Sequence, residues 1–205
     1  MPDETPCIYI VDDDQAMRES IAFLVSSVGY SQISCESAAE FLKIYDRLKP
    51  GCLILDVRLP GMSGLELQRE LNGEGCNLGI IFISGHGDIP MAVRSIRNGA
   101  IDFLEKPFDD QLLLDQIDKA LRVSAEALLK STRQADAERK LSCLTDRERE
   151  VMSMVVDGKT NKAIALDLNI SVKTVENHRA NLMAKANVSS VAELIAWAAD
   201  TKASR

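Results

Sequence analysis

The sequence predicts an α/β chain: a doubly wound (βα)5 parallel sheet followed by a small all-α unit of four helices. Three observations carry this expectation. Short β-rich apolar runs alternate with amphipathic segments over the first 123 residues, the signature of repeated βα units around a parallel sheet. From residue 144 onward, four helical patterns follow one another with no strand candidate between them. The charge divides in the same region: residues 1–123 hold 11 Lys+Arg against 20 Asp+Glu, a balance of −9, whereas residues 124–205 hold 13 against 11, a balance of +2. An acidic first part and a mildly basic second part point to different partners.

The five strand candidates are C-I-Y-I-V at 7–11, a weak run near 33–35, C-L-I-L at 52–55, I-I-F-I-S at 80–84 and D-F-L-E at 102–105. Between them, Met17, Ile21, Leu24, Val25 and Val28 recur at helical spacing, as do Phe41, Leu42, Tyr45 and Leu48, and after the last strand Leu112, Leu113, Ile117, Ala120 and Leu121. Asp14 is placed to cap a helix beginning near Gln15. Residues 124–140 are rich in helix formers and contain neither Gly nor Pro, which predicts a helical linker. The expected organisation is therefore 1–123, a linker over 124–143, and 144–205. In the last part, helices are expected over 145–156, 160–168, 171–186 and 189–199. Thr145 with Glu148 forms a capping box, and Gly158 stands where a helix stops. Trp197, the only tryptophan, is expected in the core.

Several classes are disfavoured. Five cysteines, Cys7, Cys35, Cys52, Cys76 and Cys143, are odd in number and form no C-x-x-C pair, so reduced core thiols of a cytoplasmic protein are expected rather than disulfides or a zinc site. The N-terminus lacks a basic region followed by a long apolar one, and no apolar run approaches about 18 residues, so no membrane association is expected.

Chemistry is concentrated at the strand ends. In a sheet of order 2-1-3-4-5, ligands bind beyond the carboxyl ends of strands 1 and 3. The first strand ends in Asp12-Asp13-Asp14 and the third in Asp56. Two such charges about 4 Å apart repel by roughly 4 kcal/mol at an effective dielectric of about 20. The cluster is disfavoured unless a cation relieves it, and a hard, oxygen-seeking ion such as Mg²⁺ meets the need. Ser84 ends the fourth strand and Lys106 follows the fifth, so an acidic nucleophile, a divalent ion, a hydroxyl and an ammonium gather on one rim. That set suits a phosphoryl group. Taken singly, the D-D-D run reads as a cap and solvated loop, Lys106 as a surface lysine and Ser84 as a strand-end hydroxyl. Their coincidence on one rim favours the site.

The motifs V-D-D-D (11–14), L-I-L-D-V-R-L-P-G-M-S-G (53–64), I-S-G-H-G-D (83–88) and D-F-L-E-K-P-F (102–108) resemble those of response-regulator receiver domains, in order and spacing. The resemblance implies a flavodoxin-like receiver in which Asp56 is the phosphoacceptor. Asp12 and Asp13, with Asp56 and the backbone carbonyl of Arg58, would hold Mg²⁺. It further implies that Ser84 and Lys106 meet the phosphoryl oxygens, that Phe103 is the switch aromatic, and that the Lys106–Pro107 bond is cis. Phe103 also has the simpler reading of a core strand residue. Arg58 and His86 occupy the variable positions that tune the lifetime of the acyl phosphate.

Enzyme readings fit less well. G-H-G-D-I-P (85–90) lacks the third glycine of a dinucleotide fingerprint, no G-x-x-x-x-G-K-[ST] loop exists, and G-M-S-G lacks the spacing of a nucleophile elbow. An aspartyl phosphatase carries a second carboxylate two residues after its nucleophile, where this chain has Arg58.

In the second part, two helices joined by a short turn at 169–171 have the arrangement of a helix-turn-helix, the second presenting Lys173, Thr174, Asn177, His178, Arg179 and Lys185 outward, with Val175, Leu182 and Met183 on its inner face. Residues 159–185 hold five basic and two acidic residues, a modest +3, so useful affinity for DNA calls for a dimer. The pattern L-T-x-R-E-x-E-V…G…N-K-x-I-A…L…S-x-K-T-V-E-N-H-R…K resembles the LuxR/FixJ class of DNA-binding domain. The resemblance implies phosphate contacts from Lys162, Lys173 and Arg179, and places Thr174, Val175, Asn177 and His178 nearest base edges. Together the two resemblances imply a phosphorylation-controlled transcription regulator of a two-component system, in the order of regulators of nitrogen fixation. Its partners would be a sensor histidine kinase, double-stranded DNA with two half-sites, a second copy of itself and RNA polymerase. Its own chemistry would be confined to Mg²⁺-dependent self-phosphorylation from a phosphodonor and slow autodephosphorylation. The alternative is a phosphate-independent DNA-binding regulator whose first domain binds a partner or ligand.

Overall fold

The computed structural model describes residues 6–85 and 89–202; His86 lies outside the described residues. The chain divides into two compact units, Met1–Leu129 and Lys130–Arg205.

In the first unit, β1 (Cys7–Val11), β2 (Ser31–Cys35), β3 (Gly51–Asp56), β4 (Gly79–Ser84) and β5 (Asp102–Glu105) form a parallel sheet of order β2-β1-β3-β4-β5. Its helices are α1 (Gln15–Ser27), α2 (Ala38–Ile44), α3 (Gly64–Gly73), α4 (Ile89–Arg97) and the start of α5 (Asp110–Ser142). The sequence accounts for this directly. The strands β1, β3 and β4 are buried along their whole length, as continuous apolar runs must be when helices cover both faces. Alternation then sorts the side chains. Tyr9, Val11, Leu53, Leu55 and Phe82 pack with Phe41 of α2 and Leu67 and Leu71 of α3. Ile8, Ile10, Ile54, Ile81 and Ile83 pack on the opposite face with Ile21 and Val25 of α1 and Leu113 and Ile117 of α5.

Burying one Val, Leu, Ile or Phe side chain is worth about 1.5–3 kcal/mol. On that scale α1, α3 and α5 are each firmly held by two buried aliphatic side chains. In contrast, Ser95 is the buried residue of α4. A second fastening acts on α5: Ser124, fully buried, accepts a hydrogen bond at 2.9 Å from the Gly51 N–H at the start of β3.

Some expectations from periodicity are corrected. The α2 helix stops at Ile44 because Tyr45 turns extended and stacks on Phe41 with ring centroids 4.9 Å apart. Leu48 is therefore outside the helix and 82% exposed. Val28 lies past the last residue of α1, just before the positive-φ Gly29, and is exposed, as is Leu112. The weak second strand is the sheet edge, where Cys35 alone is buried. Asp14 caps α1 as expected, accepting from the N–H groups of Ala16 and Met17. The five thiols are free. Cys7, Cys35 and Cys52 are buried core thiols, and burial pushes Cys35 up to about 12 and Cys52 higher still. Cys76 is half-buried and Cys143 exposed, so the core reading fails for the last of them.

The long α5 crosses the division between the units, which falls inside the expected linker. Ser124 is buried in the first unit, whereas Ala137 belongs to the core of the second. There, α6 (Asp146–Val156), α7 (Asn161–Asp167), α8 (Val172–Ala186) and α9 (Val191–Lys202) surround Val151, Val155, Ile164, Val175, Leu182, Leu194 and Trp197. The capping box of Thr145 and Glu148 is present, and α6 ends before Gly158 at φ 79°. No described helix is long and apolar enough to cross a membrane.

Glu148 does more than cap. It is buried, and Lys185 of α8 donates to it at 2.7 Å, so one carboxylate ties α6 to α8. Lys185 is thus turned to this partner rather than simply outward. The Lys185 hydrogen bond, and after it the Thr145 N–H, holds the Glu148 carboxyl below its usual pKa. A depressed folded-state pKa stabilises above the ordinary glutamate value, about 4.3, and this stabilisation is lost as pH falls through the lower folded value. In unfolding monitored by Trp197 fluorescence, Glu148→Gln should lower stability at neutral pH by roughly 1–3 kcal/mol and flatten the loss seen on acidification below about pH 4.3. An unchanged acid limb would show that this carboxylate carries no such linkage.

Candidate functional site

The parallel register assembles the site. Val11 pairs with Leu55, so Asp12 and Asp56 stand side by side one residue later, at the carboxyl edge of β1 and β3. Asp56 pairs with Ile83 and Ser84 with Glu105, which brings Ser84 and Lys106 to the same edge. Asp12, Asp56 and Ser84 are buried, while Asp13 is exposed.

Among the described residues, one cation stands among these carboxylates. The Lys106 ammonium donates to Asp12 Oδ2 and to Asp56 Oδ2, both at 2.6 Å. The remaining oxygens are held as well: Asp12 Oδ1 accepts from the Asp14 N–H at 2.9 Å, and Asp56 Oδ1 from the Arg58 N–H at 2.8 Å. Those backbone bonds fix the rotation of each carboxyl group. Burial raises the Asp12 pKa above its ordinary value, against the opposing hydrogen bonds of Lys106 and Asp14. Burial alone would lower Lys106, but its hydrogen bonds and charge pairing with Asp12 and Asp56 prevail, and its pKa is raised. The Lys106–Pro107 peptide bond is cis.

Asp12, Asp13 and Asp56 each offer an oxygen, and the three lie within 4.8 Å of one another. This all-oxygen, all-anionic donor set, with one ammonium shared by two of its members, can hold a metal and fits a hard divalent cation that retains several waters. The Arg58 side chain is exposed, and its observed contribution is the N–H to Asp56. Phe103 of β5 is half-buried and stacks near Phe82 with centroids 6.4 Å apart.

Two contributors escape a reading by motif. Arg18, one turn into α1, donates to the Asp12 carbonyl at 2.6 Å and braces the strand end; its partner is a backbone group, which no residue pattern marks. Gly64 packs so closely on β3 that a Cβ there would stand 2.2 Å from the Asp56 carbonyl oxygen, and its N–H donates to Val57. The second glycine of P-G-M-S-G is thus required by approach.

In the second unit, α7 and α8 are joined by Leu168–Ser171, with Asn169 at φ 53° and Ser171 capping α8. Lys162, Lys173 and Asn177 are exposed; Thr174, His178 and Arg179 are half-buried. Arg179 donates to Asn161 Oδ1 at 2.6 Å, which orients the guanidinium while leaving it further donors. Val175 corrects one expectation. It is 0% exposed within the core of this unit, so packing withholds it from any base edge and leaves it the inner-face role.

Comparison with known proteins bears on both sites. Residues 8–118 match the response regulator receiver domain, and residues 142–198 match the luxR family of bacterial regulatory proteins. The chain is 44% identical over 198 residues to the transcriptional regulatory protein FixJ of Azorhizobium caulinodans, covering 97% of this chain and 93% of that one. It is 46% identical over 195 residues to the response regulator TodT of Pseudomonas putida, covering 95% and 86%. Among solved structures, the response regulator StyR superposes with a TM-score of 0.84 at 42% identity, over 95% of this chain and 98% of that one. Full-length FixJ from B. japonicum does so at 0.57 and 38%, over 97% and 98%. With the matched segments in this order and the shared identity extending over nearly its whole length, the chain belongs to the LuxR/FixJ class of two-component response regulators, joining a receiver domain to a LuxR-type DNA-binding domain whose partners by class are a histidine kinase and DNA.

Proposed function

We propose that this chain is a cytoplasmic transcription regulator in which a histidine kinase phosphorylates Asp56, a receiver over 1–123 pairs with a second receiver, and a helix-turn-helix domain over 144–205, reached through 124–143, binds two half-sites. The observation that carries it is the Lys106 ammonium shared at 2.6 Å by Asp12 and Asp56, with Asp13 completing the oxygen cluster.

In the transfer step, a carboxylate oxygen of Asp56 attacks the phosphorus of a phosphohistidine; the new P–O bond forms as the P–N bond breaks, and the imidazole leaves with its electron pair. The same attack on a small phosphodonor, whose own leaving group departs, gives self-phosphorylation; water later attacks the phosphorus, the Asp56 O–P bond breaks, and the carboxylate is regenerated with release of inorganic phosphate in slow autodephosphorylation. The Arg58 N–H holds Asp56 Oδ1 and so presents the carboxyl in a fixed orientation. Lys106 moves its ammonium from sharing two carboxylates to pairing with the phosphoryl group, and the Ser84 hydroxyl turns to the same oxygens. Asp12, Asp13, Asp56 and the Arg58 carbonyl would hold Mg²⁺, which when bound neutralises charge between carboxylate and phosphoryl oxygens.

Phosphorylation adds about −1.5 to −2 of charge and three acceptor oxygens. Gathering them draws Ser84, Lys106 and Phe103 together, and α4 lies next along the chain. Its outer face carries Ile89, Val93 and Ile96, all exposed, with Arg94 and Arg97 beside them. The neighbouring β5 and α5, with Asp109 between them, bring the exposed Glu105, Asp109, Asp110 and Asp115. A second receiver related by two-fold symmetry would meet apolar with apolar and basic with acidic surface. Pairing raises the effective concentration of the second helix-turn-helix at its half-site, and from there the regulator would meet RNA polymerase. FixJ and TodT resemble the chain to nearly the same degree, so identity by itself selects neither protein's target genes.

Asp56→Asn should abolish both the mass gain with phosphodonor and the tightening on DNA that follows it; tightening that persisted would favour the phosphate-independent alternative. Chelating divalent cations should suppress the mass gain in the unaltered protein, with restoration by added Mg²⁺; labelling unaffected by chelation would refute the metal assignment. On DNA, Lys162→Ala should weaken all sequences alike and reduce the salt slope by about 1, whereas Asn177→Ala should cost about 1–3 kcal/mol at one base pair of each half-site. Binding titrations at several salt concentrations on matched and mismatched duplexes separate the two effects.

A further inference from the structure

The helix held least by apolar burial is fastened at its C-terminal end by amides from α3. Gln68, fully buried, donates through Nε2 to the carbonyl oxygens of Ser95 at 3.0 Å and Asn98 at 3.3 Å. Asn72, one turn later on α3 and exposed, donates to the same Asn98 oxygen at 2.7 Å. The last carbonyls of a helix have no following turn to supply their donors, and here two are met by side chains of another element. The Ala100 N–H also closes on Ser95, after Gly99 at φ 92°.

Gln68 is an unusual choice for this position. It lies between Leu67 and Leu71 on the buried side of α3, and among the described residues its Oε1 has no hydrogen-bond partner. A buried orphan acceptor is disfavoured, so the amide is held there by its Nε2 bonds. Turning it over would set oxygen against two carbonyl oxygens, which fixes its orientation. At its other end, α3 starts on Asp56 itself, through the close packing of Gly64 on the Asp56 carbonyl and the Gly64–Val57 hydrogen bond. One helix therefore joins the backbone of Asp56 to the far end of α4.

We propose that Gln68, seconded by Asn72, is a positioning residue that makes the C-terminal end of α4 a fixed pivot, so that phosphorylation re-aims the helix at its N-terminal end and with it the face carrying Ile89 and Val93. This deepens, and rests on, the reading of Asp56 as phosphoacceptor and of α4 as the pairing face. Without the clamp, the helix yields at both ends and the signal is dissipated.

The test uses the full chain and three readouts: phosphorylation by intact mass, the dimer dissociation constant by sedimentation with and without phosphodonor and Mg²⁺, and the unfolding midpoint. Gln68→Leu should be phosphorylated like the unaltered protein, while the phosphorylation-driven gain in dimer affinity falls about tenfold, the scale of one or two lost hydrogen bonds. Asn72→Ala, a surface change that leaves the core intact, should lower the same gain by about threefold, the scale of a weak single bond. A Gln68→Leu protein that loses stability but keeps the full gain would reduce Gln68 to packing and overturn the proposal, as would an unchanged gain in Asn72→Ala. Should the unaltered protein become phosphorylated yet not dimerise, the pairing reading falls and this proposal with it; if it dimerises and both variants respond equally, this proposal alone falls.

Discussion

The first unit turns on an electrostatic conflict and its relief. Parallel strands in this order deliver Asp12 and Asp56 to adjacent positions at one edge, where like charges repel and burial works against the Asp12 charge. A single ammonium, Lys106, reaches both. Its position depends on β5 being paired to β4, and the orientation of the carboxylates depends on the loops whose N–H groups hold their other oxygens. The apolar sheet fixes the backbone, and with it the separation of charges that repel. Such an arrangement is poised to receive an additional cation and an additional anion together, because each removes the objection to the other.

Much of this was legible in the chain. Apolar runs leading into Asp12, Asp56 and Ser84, with D-F-L-E leading into Lys106, announce both the sheet and the edge where these side chains gather, since strand order decides where those ends meet. The same holds for Asp14, Thr145, Glu148 and Gly158, whose roles at helix ends are local. What periodicity misjudged were the margins. Leu48 and Val28 match a helical spacing, but a backbone turn placed each beyond its helix, and only tertiary packing of Tyr45 on Phe41 explains the first. Val175 fits two faces of a helix equally well on paper; the core claims it. Arg18 and Gln68 were illegible because their partners are backbone carbonyls, which carry no sequence signature.

The distribution of burial also separates what is rigid from what can respond. Strands β1, β3 and β4, with α1 and α5, form a block of interlocked aliphatic side chains, and such blocks open only with most of the domain. The α4 helix presents Ile89, Val93 and Ile96 outward, sets the partly buried Met91 against the core, and is bound by polar side chains of α3 at its C-terminal end. Elements of that kind occupy the low-stability end of a domain and are the ones a local change of charge can redirect. In the second unit a buried carboxylate has the opposite effect, drawing two helices into one body.

The thiols give this difference a chemical face. Reactivity toward oxidants and alkylating agents needs both access and thiolate. Cys35 and Cys52, enclosed in the sheet and with their ionisation driven far up, have neither. Cys143 is exposed just beyond α5. The protein thus carries its own clock for opening: modification at Cys143 proceeds in the folded chain, while modification at Cys52 waits for the sheet to come apart.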